Sequence, residues 1–288
     1  MGEDYTFPLS MIANEGGSEG EERKKKSSKK FPFLEKKMYF CKIDIWKIMQ
    51  AFLLAAGLGT RLRPLTNNRP KALVEVNGVP LLKINIDNLV RQGFSRIVVN
   101  THHFSEMVVN YIKERSWDAE ILISDESDML LDTGGGLKHA SKLFLPDEPI
   151  LIHNVDILSR INFAELLSQH SHNMNFATLV VSQRETSRYL LFNQEKQLIG
   201  WENKATGETK WTSEPTEHFD CMAFSGIAVI NPQLLELLPE ADHPYPIVHS
   251  YLEISKHHRI SYFIHKKEDW LDVGKPETLK QAQLWNLF

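Results

Sequence analysis

The chain has 288 residues, of which 42% are hydrophobic, and this is enough to bury one large or two small cores. Its formal net charge of −4 excludes the overall basic field that attracts nucleic acid. Two cysteines argue against a disulfide framework, and neither a membrane-spanning apolar run nor a signal-peptide pattern is present. We therefore expect a cytoplasmic protein that binds neither nucleic acid nor membrane.

The first 48 residues differ in composition from the rest of the chain. Residues 16–30 read GGSEGEERKKKSSKK and contain no apolar side chain, which is typical of a disordered segment. The basic run within it suits a nucleic-acid or targeting patch, but a solvated tail is the favoured interpretation. We predict a disordered extension over residues 1–48 and a single catalytic domain over residues 49–288.

A phosphate-binding loop is predicted directly after the first strand. The apolar run Ala51–Ala56 has the length of a strand that is covered on both faces. Gly57 and Gly59 follow, and their lack of a Cβ lets the backbone turn sharply and approach a ligand. Four cations come next: Arg61, Arg63, Arg69 and Lys71. Cations beside bare amides suit a polyphosphate, whereas Leu62 stands where a dinucleotide fingerprint needs its third glycine.

Further along, helical and strand patterns alternate, which predicts an α/β fold with a mixed, mostly parallel sheet flanked by helices. The predicted helices cover residues 80–93, 104–115, 135–144, 232–238, 247–256 and 276–285. The predicted strands cover residues 96–100, 119–124, 150–153, 176–182, 189–192, 197–202, 224–230 and 260–265. No hexapeptide repeat is present, so we expect no β-helix domain.

Two aspartates follow buried apolar runs and are candidate metal ligands. Asp156 ends ILIHNVD, and Asp272 lies in WLDVG. Two carboxylates on adjacent strand ends would suit Mg²⁺, which prefers oxygen ligands. Taken alone, a helix cap at Asp156 and a surface turn at Asp272 explain the residues equally well.

The composite of GLGTRLRPLT and a following PK resembles the signature of the sugar-1-phosphate nucleotidyltransferases. These enzymes join a nucleoside triphosphate to a sugar 1-phosphate and release pyrophosphate. The resemblance extends from about Met49 to the C-terminus, although Ala72 replaces the second proline of the usual PKP. It implies the Rossmann-like nucleotide-diphospho-sugar transferase fold, Mg²⁺ as cofactor, and Asp156 and Asp272 as the metal ligands.

The resemblance also implies roles for individual residues. The catalytic group would be Arg61, Lys71, Asp156 and Asp272. Nucleotide binding would involve Ala55, Ala56, Gly57, Gly59, Thr60, Arg61, Asp132, Gly134 and Gly135. The residues of LDTGGGL are included because glycines that open a helix admit a flat base. The sugar phosphate would be bound by Asn154, Glu202, Lys204 and Gly226, although a solvated turn lysine is nearly as good an interpretation of Lys204.

The LDTGGGL element is similar to that of uridylyltransferases acting on N-acetylmuramate 1-phosphate. The favoured substrates are therefore UTP and N-acetylmuramate 1-phosphate, in cell-wall sugar salvage. The alternatives are GTP with mannose 1-phosphate, and an inactive regulatory subunit that binds a nucleotide sugar. The sequence leaves homo-oligomerisation open.

Overall fold

The structure is a computed structural model that describes residues 48–215 and 217–285. The predicted extension over residues 1–48 lies outside the described residues, apart from Ile48. Within the described ranges, no helix combines the length and the apolar character needed to cross a bilayer.

Fourteen strands form in the part of the chain that the structure describes. In chain order they are β1 (Met49–Leu54), β2 (Glu75–Val76), β3 (Val79–Pro80), β4 (Phe94–Thr101), β5 (Glu120–Asp125), β6 (Ile150–Asn154), β7 (Ile157–Ser159), β8 (Ala177–Ser182), β9 (Arg188–Phe192), β10 (Leu198–Asn203), β11 (Glu208–Trp211), β12 (Asp220–Ile230), β13 (Ile260–Ile264) and β14 (Trp270–Asp272).

The helices of the described residues are short and flank the sheet. The α-helices are α1 (Leu81–Arg91), α2 (Ser105–Lys113), α3 (Asp132–His139), α4 (Phe163–His172), α5 (Ile247–Ser255) and α6 (Pro276–Ala282). The 3₁₀ turns are Thr60–Leu62, Lys71–Leu73, Ala140–Leu143, Pro232–Leu237 and Lys267–Asp269.

Ten strands make one mixed sheet in the order β11-β10-β9-β12-β6-β1-β4-β5, with β8 beside β12 and β13 beside β8. The strands β6, β1, β4 and β5 are mutually parallel, as expected for right-handed crossovers through helices. The long strand β12 runs antiparallel to both β6 and β8, and β13 is parallel to β8. The carboxyl ends of β1, β6, β8 and β13 therefore meet along one rim of the sheet.

Alternate residues of each central strand pack on opposite faces of this sheet. Ala51 and Leu53 belong to a buried cluster that includes residues of α1, α2, α4 and α6. Phe52 and Leu54 belong to a second cluster that includes residues of α3 and α5. Burial on both faces explains why the first strand reads as a continuous apolar run rather than an alternating one.

The predicted α/β fold with a mixed sheet between helices is confirmed. Some element predictions were wrong in detail. The helix predicted over residues 135–144 begins at Asp132 and passes into the 3₁₀ turn Ala140–Leu143. The segment predicted as helix over 232–238 is the 3₁₀ turn Pro232–Leu237, since six residues show too little periodicity to separate the two helix types. The sequence analysis missed the exposed edge strand β11 and the three-residue strands β7 and β14.

Candidate active site

The loop after β1 folds back on itself through Gly59. This residue has a φ of 64°, which favours glycine, and a Cβ there would lie 2.9 Å from the Thr66 side chain and 3.0 Å from Cβ of Lys71. The Thr66 hydroxyl donates to the Gly59 carbonyl at 2.8 Å. Within the described part of the chain, the backbone amides of Gly57 and Leu58 donate to no acceptor. The loop thus presents free amides beside Lys71, as the sequence predicts for a phosphate ligand.

A buried pair of polar side chains holds the start of this loop. Asn100, at the end of β4, accepts from the amides of Ala55 at 2.6 Å and Ala56 at 3.2 Å, and donates to Glu126 at 2.7 Å. Glu126 also accepts from the amide of Leu131 at 3.2 Å. Because the amides of Ala55 and Ala56 are used in this way, they are not available to a nucleotide.

The sequence analysis missed Asn100 and Glu126, because neither lies in a recognisable motif. Both are almost fully buried. Burial raises the pKa of the Glu126 carboxyl, while its hydrogen bond from Asn100 acts in the opposite direction. The signal that points to them is a polar side chain directly after each of two adjacent apolar strands, at the rim where ligands bind.

The four predicted catalytic side chains lie together at this rim. Nζ of Lys71 lies 3.2 Å from Oδ2 of Asp156, and Nη2 of Arg61 lies 3.5 Å from the same oxygen. Nη1 of Arg61 lies 3.7 Å from Oδ2 of Asp272. Lys71 and Asp156 are largely buried, with side-chain exposures of 13% and 8%, whereas the Arg61 side chain is 54% exposed. Arg61 is therefore the exposed cation of the group, and Lys71 is the buried one.

The pairing of two short strands brings the aspartates together. β14 runs antiparallel to β7 with Asp272 opposite Ile157, the residue that follows Asp156. Gly274 then lies between the two carboxylates: a Cβ there would be 2.8 Å from Oδ1 of Asp272 and 2.9 Å from Oδ2 of Asp156. Its amide donates to Oδ1 of Asp272 at 2.8 Å. A Cβ at Gly274 would also lie 2.6 Å from Nη2 of Arg61, so a side chain there would displace at least one of these three charged groups.

A cavity of about 470 Å³ opens beside this cluster. Its lining residues come from the ends of β1, β4 and β6, from the phosphate loop and from the start of α3: Leu54, Ala56, Gly57, Arg61, Lys71, Asn100, Glu126, Leu130, Asp132, Thr133, Asn154, Asp156 and Pro244. A cavity of this size, with apolar walls and convergent charges, is typical of a small-molecule site.

The three glycines of α3 are used for packing rather than for lining the cavity. A Cβ at Gly134 would lie 2.4 Å from the Tyr245 ring, and one at Gly136 would lie 2.5 Å from Oε1 of Glu126. The amides of Gly134 and Gly135 donate to the Tyr245 carbonyl at 2.9 Å and 3.4 Å. The structure therefore places Asp132 on the cavity, but Gly134 and Gly135 behind it.

The predicted sugar-phosphate residues divide into two groups. Asn154 lines the cavity, and a Cβ at Gly226 would lie 2.7 Å from its amide nitrogen. Gly226 has a φ of 73°, so both its conformation and this contact require glycine. Lys204 pairs with Glu202 at 3.6 Å on β10 and lies over the Tyr189 ring at 4.5 Å, away from the cavity lining.

Residues 50–286 match the family model described as nucleotidyl transferase. The chain belongs to this family. The nucleotidyl transferase match covers the whole sheet, the phosphate loop and both aspartates, but none of the first 49 residues.

Two relatives of this chain are named for different substrates. The N-acetylmuramate alpha-1-phosphate uridylyltransferase of Caulobacter vibrioides is 48% identical over 109 residues, which is 37% of this chain and 45% of that protein. The mannose-1-phosphate guanyltransferase of Pichia angusta is 29% identical over 233 residues, which is 80% of this chain and 62% of that protein. These alignments span less than two thirds of either relative.

One solved structure shares the fold of this nucleotidyl transferase chain. HddC from Yersinia pseudotuberculosis, complexed with GMP-PN, superposes with a TM-score of 0.65 at 19% identity, covering 82% of this chain and 99% of that one. At this identity the likeness concerns the fold alone.

The donor set of this nucleotidyl transferase fits Mg²⁺. Asp156 and Asp272 offer hard carboxylate oxygens that converge on the bare Cα of Gly274, and each lies within 3.7 Å of the same guanidinium. Mg²⁺ is commonly bound by one or two carboxylates and completes its coordination shell with substrate phosphates, so this pair of carboxylates meets its requirement. Among the described residues no group of three acidic, histidine or cysteine side chains is available as an all-protein metal cage.

Proposed function

We propose that this protein condenses UTP with N-acetylmuramate 1-phosphate to give UDP-N-acetylmuramate and pyrophosphate. The observation that supports the reaction class is the convergence of Lys71 and Arg61 with Asp156 and Asp272 beside a cavity whose loop carries free amides. The observation that supports the muramate substrate is the 48% identity to the Caulobacter vibrioides uridylyltransferase.

In this reaction, an oxygen of the sugar phosphate attacks the α-phosphorus of UTP. The new bond joins that oxygen to the α-phosphorus, and the bond between the α-phosphorus and the bridging oxygen to the β-phosphate breaks. Since a phosphate monoester is already anionic at neutral pH, no strong general base is needed. The difficulty lies in bringing two polyanions together and in stabilising the departing pyrophosphate, so that positioning and charge supply most of the catalysis.

The residues can be assigned to these tasks. The amides of Gly57 and Leu58 bind triphosphate oxygens, and the exposed Arg61 follows the β- and γ-phosphates. Lys71, fixed against Asp156, neutralises charge at the α-phosphate. Asp156 and Asp272 would hold Mg²⁺, which when bound supplies positive charge to the phosphate oxygens.

A second candidate reaction joins GTP to mannose 1-phosphate. It is favoured by the Pichia angusta guanyltransferase, whose alignment is weaker but covers 80% of this chain. A regulatory subunit without activity is a third candidate, which the intact cluster of charged side chains around Asp156 argues against.

A pyrophosphate-release assay separates these candidates. The protein is incubated with Mg²⁺ and each of UTP, GTP, CTP and dTTP, combined in turn with N-acetylmuramate, N-acetylglucosamine, glucose and mannose 1-phosphates. We expect the highest kcat/KM with UTP and N-acetylmuramate 1-phosphate. Release only with GTP and mannose 1-phosphate would replace the first candidate by the second, and release with no pair would support the regulatory role.

A further inference from the structure

A second cavity, of about 720 Å³, lies along the same rim of the sheet beyond the ends of β8 and β13. Its charged, polar and aromatic lining includes Ser182, Arg184, His265, Lys267, Trp270 and Trp285. None of these residues has a role in the proposed reaction so far. The cavity adjoins the active site through β14, because Trp270 lines it and Asp272, two residues later, carries one of the catalytic carboxylates.

Arg184 is the central cation of this second cavity. One of its terminal nitrogens donates to the Phe224 carbonyl at 2.8 Å, and its guanidinium carbon lies 4.9 Å from the Trp270 ring centre. Its Nε is buried and donates to no acceptor within the described residues. The guanidinium is thus held on one edge and on one face in the lining of the second cavity, and a planar cation fixed in this way suits a planar anion.

The charge of Asp272 and the packing on Trp270 connect Arg184 to the active site. Asp272 attracts the guanidinium electrostatically. Trp270, on which the guanidinium stacks, donates from its ring nitrogen to the Ser225 carbonyl at 2.8 Å, and Ser225 precedes the Gly226 that packs on Asn154. Arg184 thus contacts β12 two residues before Gly226, which packs on the predicted sugar-phosphate residue Asn154.

The charge of the second cavity favours an anion. Arg184 and Lys267 are its cations, and Glu185 is the one acidic side chain in its lining. Burial lowers the pKa of His265, and the nearby Arg184 charge acts in the same direction against the hydrogen bond to the Lys266 carbonyl. A buried hydroxyl, that of Ser182, also lacks a partner within the described residues.

We propose that Arg184 is a specificity residue that binds a carboxylate carried by the sugar of the sugar 1-phosphate, with the second cavity receiving the acidic substituent. This inference rests on the proposed function and narrows its substrate class to acidic sugar 1-phosphates. N-acetylmuramate differs from N-acetylglucosamine by a lactyl ether that ends in a carboxylate, so the two 1-phosphates form a matched pair for testing it.

The test compares kcat/KM for these two sugar 1-phosphates with UTP, in the wild-type protein and in Arg184→Ala. We expect the ratio of the two values to shift by about 10- to 100-fold against the muramate substrate, as for the loss of a hydrogen bond to a charged group. Arg188→Ala is the matched control, because Arg188 is an exposed arginine on the following strand, outside the cavity lining, and its ratio should stay that of the wild type.

Arg184 also holds Phe224 and Trp270, so a loss of folding must be separated from a loss of recognition. Arg184→Lys keeps a positive charge and should retain more of the muramate preference than Arg184→Ala, with both variants checked by thermal unfolding. A ratio within threefold of the wild type in Arg184→Ala would overturn this inference while leaving the proposed function intact. A wild-type protein that uses no acidic sugar 1-phosphate would overturn both.

Discussion

Replacing Lys71 by methionine tests the cation that the geometry places at the centre of the site. The methionine keeps most of the apolar stem, which is buried, and removes only the charge that lies 3.2 Å from Oδ2 of Asp156. We expect kcat/KM for the best substrate pair to fall about 10²- to 10³-fold, as on the loss of one preorganised charge. This corresponds to about 3–4 kcal/mol of transition-state stabilisation.

The distance in the structure supports this magnitude. Two unit charges 3.2 Å apart interact by about 5 kcal/mol at an effective dielectric constant of about 20. That energy is an upper bound for the interaction between the Lys71 ammonium and a phosphate oxygen at a similar distance, because part of it is offset by desolvation. The expected loss of about 3–4 kcal/mol therefore lies within what a single charge at this distance can supply.

The assay is continuous pyrophosphate release at saturating Mg²⁺, with the nucleoside triphosphate and the sugar 1-phosphate each varied. Lys83→Met is the matched control, because Lys83 pairs with Asp87 at 2.6 Å on the exposed face of α1 and is 39% exposed. Its loss should change kcat/KM little, as for other surface ion pairs. Lys71→Met activity within threefold of the wild type, in a variant with an unchanged thermal midpoint, would refute the assignment of Lys71.

Two further predictions concern the metal ligands and the pH dependence of folding. Gly274→Ala should raise the Mg²⁺ concentration for half-maximal activity about tenfold, because its Cβ would lie 2.6 Å from Nη2 of Arg61 and within 2.9 Å of oxygens of both Asp156 and Asp272; an unchanged Mg²⁺ titration would contradict this. Burial lowers the pKa of His153 to about 4, so the unfolded chain takes up the proton first and stability falls as the pH drops from 6.5 to 4. In urea unfolding, the free energy of unfolding of His153→Asn should fall less steeply with pH over this range than that of the wild type, by about 1.4 kcal/mol per pH unit. Equal slopes in the variant and the wild type would count against this explanation.

The parts of the site that local sequence determines could be predicted. The apolar run from Ala51, the glycines after it and the spacing to Lys71 act within about twenty residues, and the structure places them as expected. The alternation of helices and strands likewise predicts that Asp156 lies at the carboxyl rim of a parallel sheet, which is where β6 ends.

The parts that depend on long-range pairing could not be predicted from the residues alone. The approach of Asp272 to Asp156 depends on β7 and β14, which have three residues each and carry no periodicity. Asn100 and Glu126 are adjacent only because β4 and β5 are paired in parallel register. Arg184 lies in a loop outside any motif, and the role proposed for it follows only from the second cavity that the loop borders.

The packing of α3 changes how the LDTGGGL element of this chain should be interpreted. Since Gly134 is pressed against the ring of Tyr245 and Gly136 against Glu126, a larger residue at either position would push the helix off its neighbours whatever nucleotide is used. Glycine at these two positions is therefore a requirement of assembly and says little about the choice of base. Variation of nucleotide preference should instead be tested first at Leu130 and Asp132, which line the cavity.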